Sequence, residues 1–236
     1  MSILNGEEGL VADAEGVVTK AHGLWRPAAR RAGIEQEMDA LLNRYWSHEI
    51  LYEGVFCPVV AGLKTNISLD DMHELARAVP HTHGAYELFS LAKQRYGNRV
   101  GIITASVDPL AAYLERTYGI PHVIANNISD YFLNGGSPVC SVNDKNKGGH
   151  LAAMADAMQT TPEKLIVIGD GPEDLSMLDM SGLPVAYHAR PEVEKLVRSK
   201  KGIVIKDGIL DDLRHEIRKE SPTELGLLPL AQHLFA

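Results

Sequence analysis

Two stretches of this 236-residue chain put acids and glycine at the end of an apolar run: Gly9-Leu-Val-Ala-Asp13-Ala-Glu15-Gly16 and Leu165-Ile-Val-Ile-Gly169-Asp170-Gly-Pro-Glu-Asp174. A carboxylate delivered by a strand end, such as Asp13, can attack phosphorus and carry the phosphoryl group as a transient aspartyl-phosphate. A second acid two residues on, Glu15, can protonate the leaving alkoxide and later deprotonate the water that breaks the phospho-aspartate. The acidic pair near Gly169 offers hard oxygens for Mg2+, Asp170 directly and Asp174 in support. A cation there screens the repulsion between a phosphate and an anionic nucleophile.

Two more stretches fit the same chemistry. In Thr104-Ala105-Ser106 a hydroxyl, with the N–H groups opening the next helix, can hold a phosphate oxygen. Near Lys147-Gly-Gly-His-Leu151 a lysine can neutralise the phosphoryl group, and Lys145 is a neighbouring candidate. Singly, each feature has a plain structural reading: solvated turn acids, a helix N-cap at Ser106, an exposed lysine.

The elements that must position these residues alternate. Apolar runs at Gly9–Asp13, Arg99–Thr104, His122–Ala125, Leu165–Gly169, Pro184–Tyr187 and Gly202–Ile205 read as strands. Helical patterns separate them over Gly84–Gly97, Asp108–Tyr118, Gly149–Met158, Asp174–Met180 and Pro191–Ser199, and a last helix is expected from Leu210. Ile128–Val142, with Asn134-Gly-Gly136, is expected to be a hairpin or loop. The tail from Glu220 is expected to pack on the core or on a partner. This alternation predicts a parallel sheet covered on both faces, with ligands beyond the carboxyl ends of the strands. Residues 20–79 differ: their apolar residues recur at helical spacing without a strand signal, and Ser68-Leu-Asp-Asp71 reads as a capped helix start. Trp25, Tyr45, Trp46, Tyr52 and Phe56 are expected in helical core, with Tyr52 and Phe56 the best candidates for lining a pocket instead.

Composition sets outer limits. The chain is 45% hydrophobic and 23% charged with net charge −8, which suits a globular domain and disfavours a sequence-independent nucleic-acid surface. Neither a membrane span nor a secretory signal is expected, and Cys57 and Cys140 read as idle thiols of a reducing cytoplasm. His81-Thr-His83 lacks a third ligand and is expected at the surface.

The four stretches, in this order and ending in Ile168-Gly-Asp-Gly-Pro-Glu-Asp-Leu-Ser-Met177, resemble the haloacid dehalogenase-like phosphatase superfamily in its phosphoserine-phosphatase-like branch. Pro80–Leu91, Ile124–Asn127 and Gly182–Pro191 share the resemblance, and the 23-residue separation of Lys147 from Asp170 favours Lys147 over Lys145. The resemblance implies a three-layer α/β/α Rossmann-like core of residues 1–19 and 80–236, with a helical cap domain of residues 20–79 inserted after the first strand. It implies Asp13 as nucleophile and Glu15 as acid/base. Thr104, Ala105 and Lys147 would bind phosphate. Asp13, Asp170 and the backbone carbonyl of Glu15 would hold Mg2+, supported by Asp174. The implied activity is cytoplasmic hydrolysis of a small phosphorylated metabolite.

The chain departs from the pattern in places. Glu15 replaces the usual second aspartate, as in phosphotransferase-like relatives that pass phosphate to an alcohol, and Val17 replaces a common threonine. The branch's substrate-recognising glutamate falls on His22, and its carboxylate-binding arginine near Val59. Arg26, Arg30 and Arg31 are the available substitutes, though a solvated helix face is expected for at least two. These losses point away from phosphoserine. A phosphotransferase and a non-catalytic binding protein on the same fold are the alternatives.

Overall fold

The computed structural model describes residues 6–21, 23–207, 209–215, 217–220 and 226–235. Strand β1 (Gly9–Ala12) is followed by four helices, α1 (Trp25–Ala32), α2 (Glu35–Trp46), α3 (Glu53–Asn66) and α4 (Leu69–Arg77). Alternation then begins with α5 (Ala85–Tyr96), β2 (Val100–Val107), α6 (Asp108–Tyr118), β3 (His122–Asn126), α7 (Ser129–Asn134) and α8 (Lys147–Ala157). Next come β4 (Leu165–Gly169), α9 (Leu175–Met180), β5 (Leu183–Tyr187), α10 (Pro191–Ser199) and β6 (Ile203–Lys206). The chain closes with β7 (Ile209–Asp212), β8 (Ile217–Glu220) and α11 (Leu228–Phe235).

One sheet runs β3-β2-β1-β4-β5-β6-β7-β8, parallel through β6. Successive strand residues serve opposite faces. Leu10, Ala12, Ile102 and Ile168 enter one apolar cluster, which also takes residues of α1–α6 and α11. Val11, Ile103, Val167 and Ala186 enter the other, with residues of α8, α9 and α10. This is the three-layer α/β/α arrangement that the strand–helix alternation implied.

Residues 18–20 and 80–82 lie side by side: Lys20 N–H donates to the Pro80 carbonyl and Thr82 N–H to that of Val18. Both connections to α1–α4 therefore pass through one narrow place. Ser68 forms the expected capping box, its Oγ accepting from Asp71 N–H and the Asp71 carboxylate accepting from Ser68 N–H.

Two expectations need correction, and one left open is settled. The helix from Leu210 is instead the meander β6-β7-β8, paired antiparallel. The signal was present in the Asp207-Gly208 dipeptide, a hairpin turn sequence, and Asp207 adopts φ +51°. The hairpin or loop expected over 128–142 begins as the helix α7, because the Asp108 carboxylate accepts from Ile128 N–H at 2.7 Å and from the Ser129 hydroxyl. The tail settles on its own core: in α11, Leu230, Ala231 and Leu234 are buried and the helix packs on α5. Leu225 lies outside the described residues.

At the end of β7, buried Asp212 bonds His233 Nε2 of α11 at 2.8 Å. Burial raises the Asp212 carboxyl, but the His233 bond and the Arg214 charge outweigh it and leave the pKa below the ordinary 3.8. A depressed carboxylate contributes stability above its unfolded pKa and loses it as pH falls through the folded value. We expect Asp212→Asn to melt below wild type at neutral pH, and the gap to close only below pH 3.8; melting curves from pH 7 to 3 check this.

Candidate active site

Asp13 follows the last residue of β1, and Asp170 follows the last of β4. These strands are neighbours, with Ala12 opposite Ile168, so the two acids leave the sheet side by side. Asp13 N–H, donating to the Ile168 carbonyl at 2.9 Å, fixes that exit. Lys147, the first residue of α8, is wholly buried and donates from Nζ to Asp13 Oδ1 and Asp174 Oδ1, both at 2.7 Å. Lys145 is exposed. Asp174 Oδ2 accepts from the N–H groups of Asp170 and Gly171 at 2.9 and 3.1 Å, which shapes the turn after β4. A Cβ on Gly169 would meet Asp174 Cβ at 2.6 Å, so the glycine makes room for this acid.

Glu15 accepts from Leu24 N–H at 3.0 Å and so ties the strand end to the residue before α1. Gly16, at φ +101°, lies so close to Asp170 that a Cβ would overlap its carboxylate. The peptide joining Glu15 to Gly16 is thereby held against Asp170. Gly16→Ala would add both backbone strain and this overlap. Its expected effect is a loss of turnover of about a hundredfold or more with secondary structure retained, read by kinetics and circular dichroism.

Thr104 belongs to β2 where the pairing with β3 is interrupted between Ile103 and Val107. Its Oγ1 accepts from Ser106 N–H at 3.1 Å, leaving the hydroxyl proton free to donate into the cavity that Thr104 lines. The Ala105 carbonyl is taken by Asn126 Nδ2 at 2.8 Å and by the Tyr52 hydroxyl at 3.1 Å. Ser106 is not a helix cap: α6 starts at Asp108 after Val107, and the buried Ser106 hydroxyl instead lies beside the Glu15 carboxylate. The N–H groups expected to open a helix directly after Thr104 belong instead to an irregular strand end.

One cavity brings together Asp13, Glu15, Thr104, Ala105, Lys147 and Asp170. Asp174 lies behind it. Sequence reasoning gave no cavity role to Glu173 or Arg190, which also line it, although both lie within stretches that carry the resemblance. Of the five aromatic residues expected in helical core, Trp25, Tyr45, Tyr52 and Phe56 line the cavity. Arg26, Arg30 and Arg31 do not: they pair at the surface with Asp39, Glu35 and Asp71. His22 lies outside the described residues. His81 binds the hydroxyls of Tyr118 and Tyr113, which gives it a packing role.

Negative charge exceeds positive in this cavity. Burial, with the charges of Asp174 and Glu173, pushes Asp13 up to about 8 against the pull of Lys147. Burial and Asp174 likewise raise Asp170 well above the carboxylate range, and burial raises Glu15 despite its bond from Leu24. Burial alone would lower Lys147, but Asp13, Asp174 and Glu173 outweigh it and hold the ammonium above its ordinary value. One lysine cannot balance these acids. Oxygens of Asp13, Asp170 and Asp174 lie within 4.8 Å of one another, and Asp170 Oδ1 is buried without a hydrogen-bond partner among the described residues. Hard anionic oxygens, one of them unsatisfied, fit a small divalent cation. Asp174, already engaged by Lys147 and two N–H groups, is better suited to supporting than to ligating.

A parallel sheet with acids at the rim of its central strands and a buried lysine between them defines a phosphoryl-transfer fold, and residues 13–179 match the model of the haloacid dehalogenase-like hydrolases. This chain belongs to that family, in its phosphoserine-phosphatase-like branch. It is 36% identical over 195 residues to a phosphoserine phosphatase of Polaromonas sp., covering 78% of this chain and 79% of that one. It is 24% identical over 192 residues to that of Methanocaldococcus jannaschii, covering 80% and 88%. Of two other relatives, from Schizosaccharomyces pombe and Streptomyces coelicolor, it spans only 58% and 44%. A substrate-bound phosphoserine phosphatase structure shares the fold with TM-score 0.72 at 21% identity, covering 89% of this chain and 97% of the other. Among the described residues no helix is long and apolar enough to cross a membrane.

Proposed function

We propose that this protein is a Mg2+-dependent phosphatase that hydrolyses a small phosphate monoester through an aspartyl-phosphate on Asp13. The observation that carries the reading is the buried contact of Lys147 with Asp13 beside Asp170. In it a nucleophile, a phosphate-binding cation and a candidate metal ligand converge where two strands end.

Asp13 attacks phosphorus while Lys147 and the Thr104 hydroxyl hold the non-bridging oxygens, helped by N–H groups near Ala105. Glu15, kept protonated at higher pH than usual by burial, gives its proton to the leaving alkoxide. As a base it then takes a proton from the water that attacks the phospho-aspartate, restoring Asp13. Asp13, Asp170 and the Glu15 carbonyl would hold Mg2+, which when bound supplies charge neutralisation between nucleophile and phosphate.

In this reading residues 20–79 act as a cap domain over the core of 1–19 and 80–236, hinged where residues 18–20 and 80–82 run together. The two free thiols favour a cytoplasmic setting. Glu15 is also what an alcohol-accepting phosphotransferase would carry, so product partition with added alcohols is part of the test. Purified protein with Mg2+ should release phosphate from members of a metabolite panel, and EDTA should remove at least about 90% of the rate, with Mg2+ restoring it. Release that is indifferent to EDTA would reject metal dependence.

A further inference from the structure

Resting on the phosphatase reading, we infer that the preferred substrate is a monoester whose alcohol half is uncharged and bears an aromatic or bulky apolar group. The cavity has two unlike ends. Its floor holds the acids, Lys147 and Thr104. Its roof comes from α1, α2, α3 and the residue before α3, and among the described residues no roof side chain carries a charge. Trp25, Met38, Tyr45, Tyr52, Phe56 and Val59 form it.

The four rings make a continuous wall. Trp25 meets Phe56 with centroids 5.9 Å apart at 79°, Phe56 meets Tyr52 at 6.2 Å, and Tyr52 meets Tyr45 at 5.8 Å and 69°. The Tyr52 hydroxyl is spent on the Ala105 carbonyl. The wall therefore offers mainly apolar area and ring edges, with the Tyr45 hydroxyl and the Trp25 indole N–H as its remaining polar groups.

A free amino acid's carboxylate has no partner on this roof. The arginines of α1 that could have served are held in surface ion pairs. Arg190, on the core side, has its guanidinium 5.3 Å from the Trp46 ring centroid, and its charge is felt by Glu173. Arg190 and Glu173 line the cavity together, so a carboxylate placed there would meet an acid as well as the base. A carboxylate placed near the roof would also face the excess of buried acids on the floor. An apolar group meets no such penalty and gains the transfer free energy of its surface.

The test compares substrates whose leaving groups are all primary alcohols, so that leaving-group chemistry does not decide the result. With Mg2+ present, kcat/KM is measured for 2-phenylethyl phosphate, ethyl phosphate, O-phospho-L-serine and choline phosphate. We expect 2-phenylethyl phosphate to exceed each of the others by on the order of tenfold or more. Trp25→Ala should then reduce the ratio of 2-phenylethyl to ethyl phosphate by about tenfold. Equal or better use of O-phospho-L-serine overturns the inference and leaves the phosphatase reading standing. Preference for choline phosphate overturns it too, because the rings would then serve as a cage for a cation. An unchanged ratio in Trp25→Ala removes the wall from specificity. Turnover of none of the four, nor of the wider metabolite panel, overturns the phosphatase reading and this inference with it.

Discussion

Asp13→Asn is expected to abolish phosphate release, by about 10⁴-fold or more, while leaving the fold as stable as wild type or more so. The activity follows from chemistry: an amide oxygen cannot form the acyl phosphate. The stability follows from charge. Burial raises the Asp13 carboxyl to about 8 in the metal-free protein, from an ordinary 3.8. An acid raised in the folded state costs stability increasingly as pH climbs from its unfolded to its folded pKa. The asparagine carries no such cost, and Lys147 keeps Asp174 as partner at 2.7 Å. Melting temperature in EDTA should therefore favour the variant by a margin that grows between about pH 4 and pH 8. A variant that is inactive because it is unfolded would contradict this, as would one that keeps its rate.

Lys147→Met is expected to fail in the opposite manner, losing both activity and stability. The lysine is fully buried between two carboxylates, and its removal leaves Asp13 and Asp174 facing Asp170 and Glu173 without the ammonium that bonds them both. Removing one partner of a buried ion pair costs about 3–5 kcal/mol, which corresponds to roughly 10 °C in melting temperature for a chain of this size. Loss of an electrostatic contact to the reacting group should cost a further factor of about 10²–10³ in turnover of whatever protein remains folded. Pairing it with Asp13→Asn should recover part of the lost stability and none of the activity. If the double variant melts lower than Lys147→Met, Asp13 is not the source of the repulsion. Calorimetry of the three variants with wild type closes the cycle.

The core was legible because its chemistry and its geometry share the same residues. Buried strands of a parallel sheet read as unbroken apolar runs, and the polar residues that end them stand out. Asp13, Thr104 and Asp170 were visible on that ground, and the structure brings them to one cavity with Lys147. What stayed hidden depended on contacts between distant residues. Nothing local in Ile128–Val142 shows that the Asp108 carboxylate will start a helix at Ser129. Asp207-Gly208 was the signal for the β6-β7 hairpin, and the helical reading of what followed missed it. The cavity roof was the hardest part. Helical spacing shows which face of a helix is apolar, and it cannot distinguish a face against other helices from one lining a cavity. Phe56 does both: it is 1% exposed and still borders the cavity. A cap was the plain alternative for Ser106 because a hydroxyl before a helix usually is one, and only the strand's continuation to Val107 removes it.

During turnover the phosphoryl group is expected to rest on Asp13. Protein mixed with Mg2+ and a turned-over monoester, quenched in acid and reduced with borohydride, converts any phospho-aspartate to homoserine. Peptide mapping should then find homoserine at position 13 and aspartate at positions 170 and 174. Continued phosphate release with Asp13 unmodified, or homoserine at another position, would contradict the account.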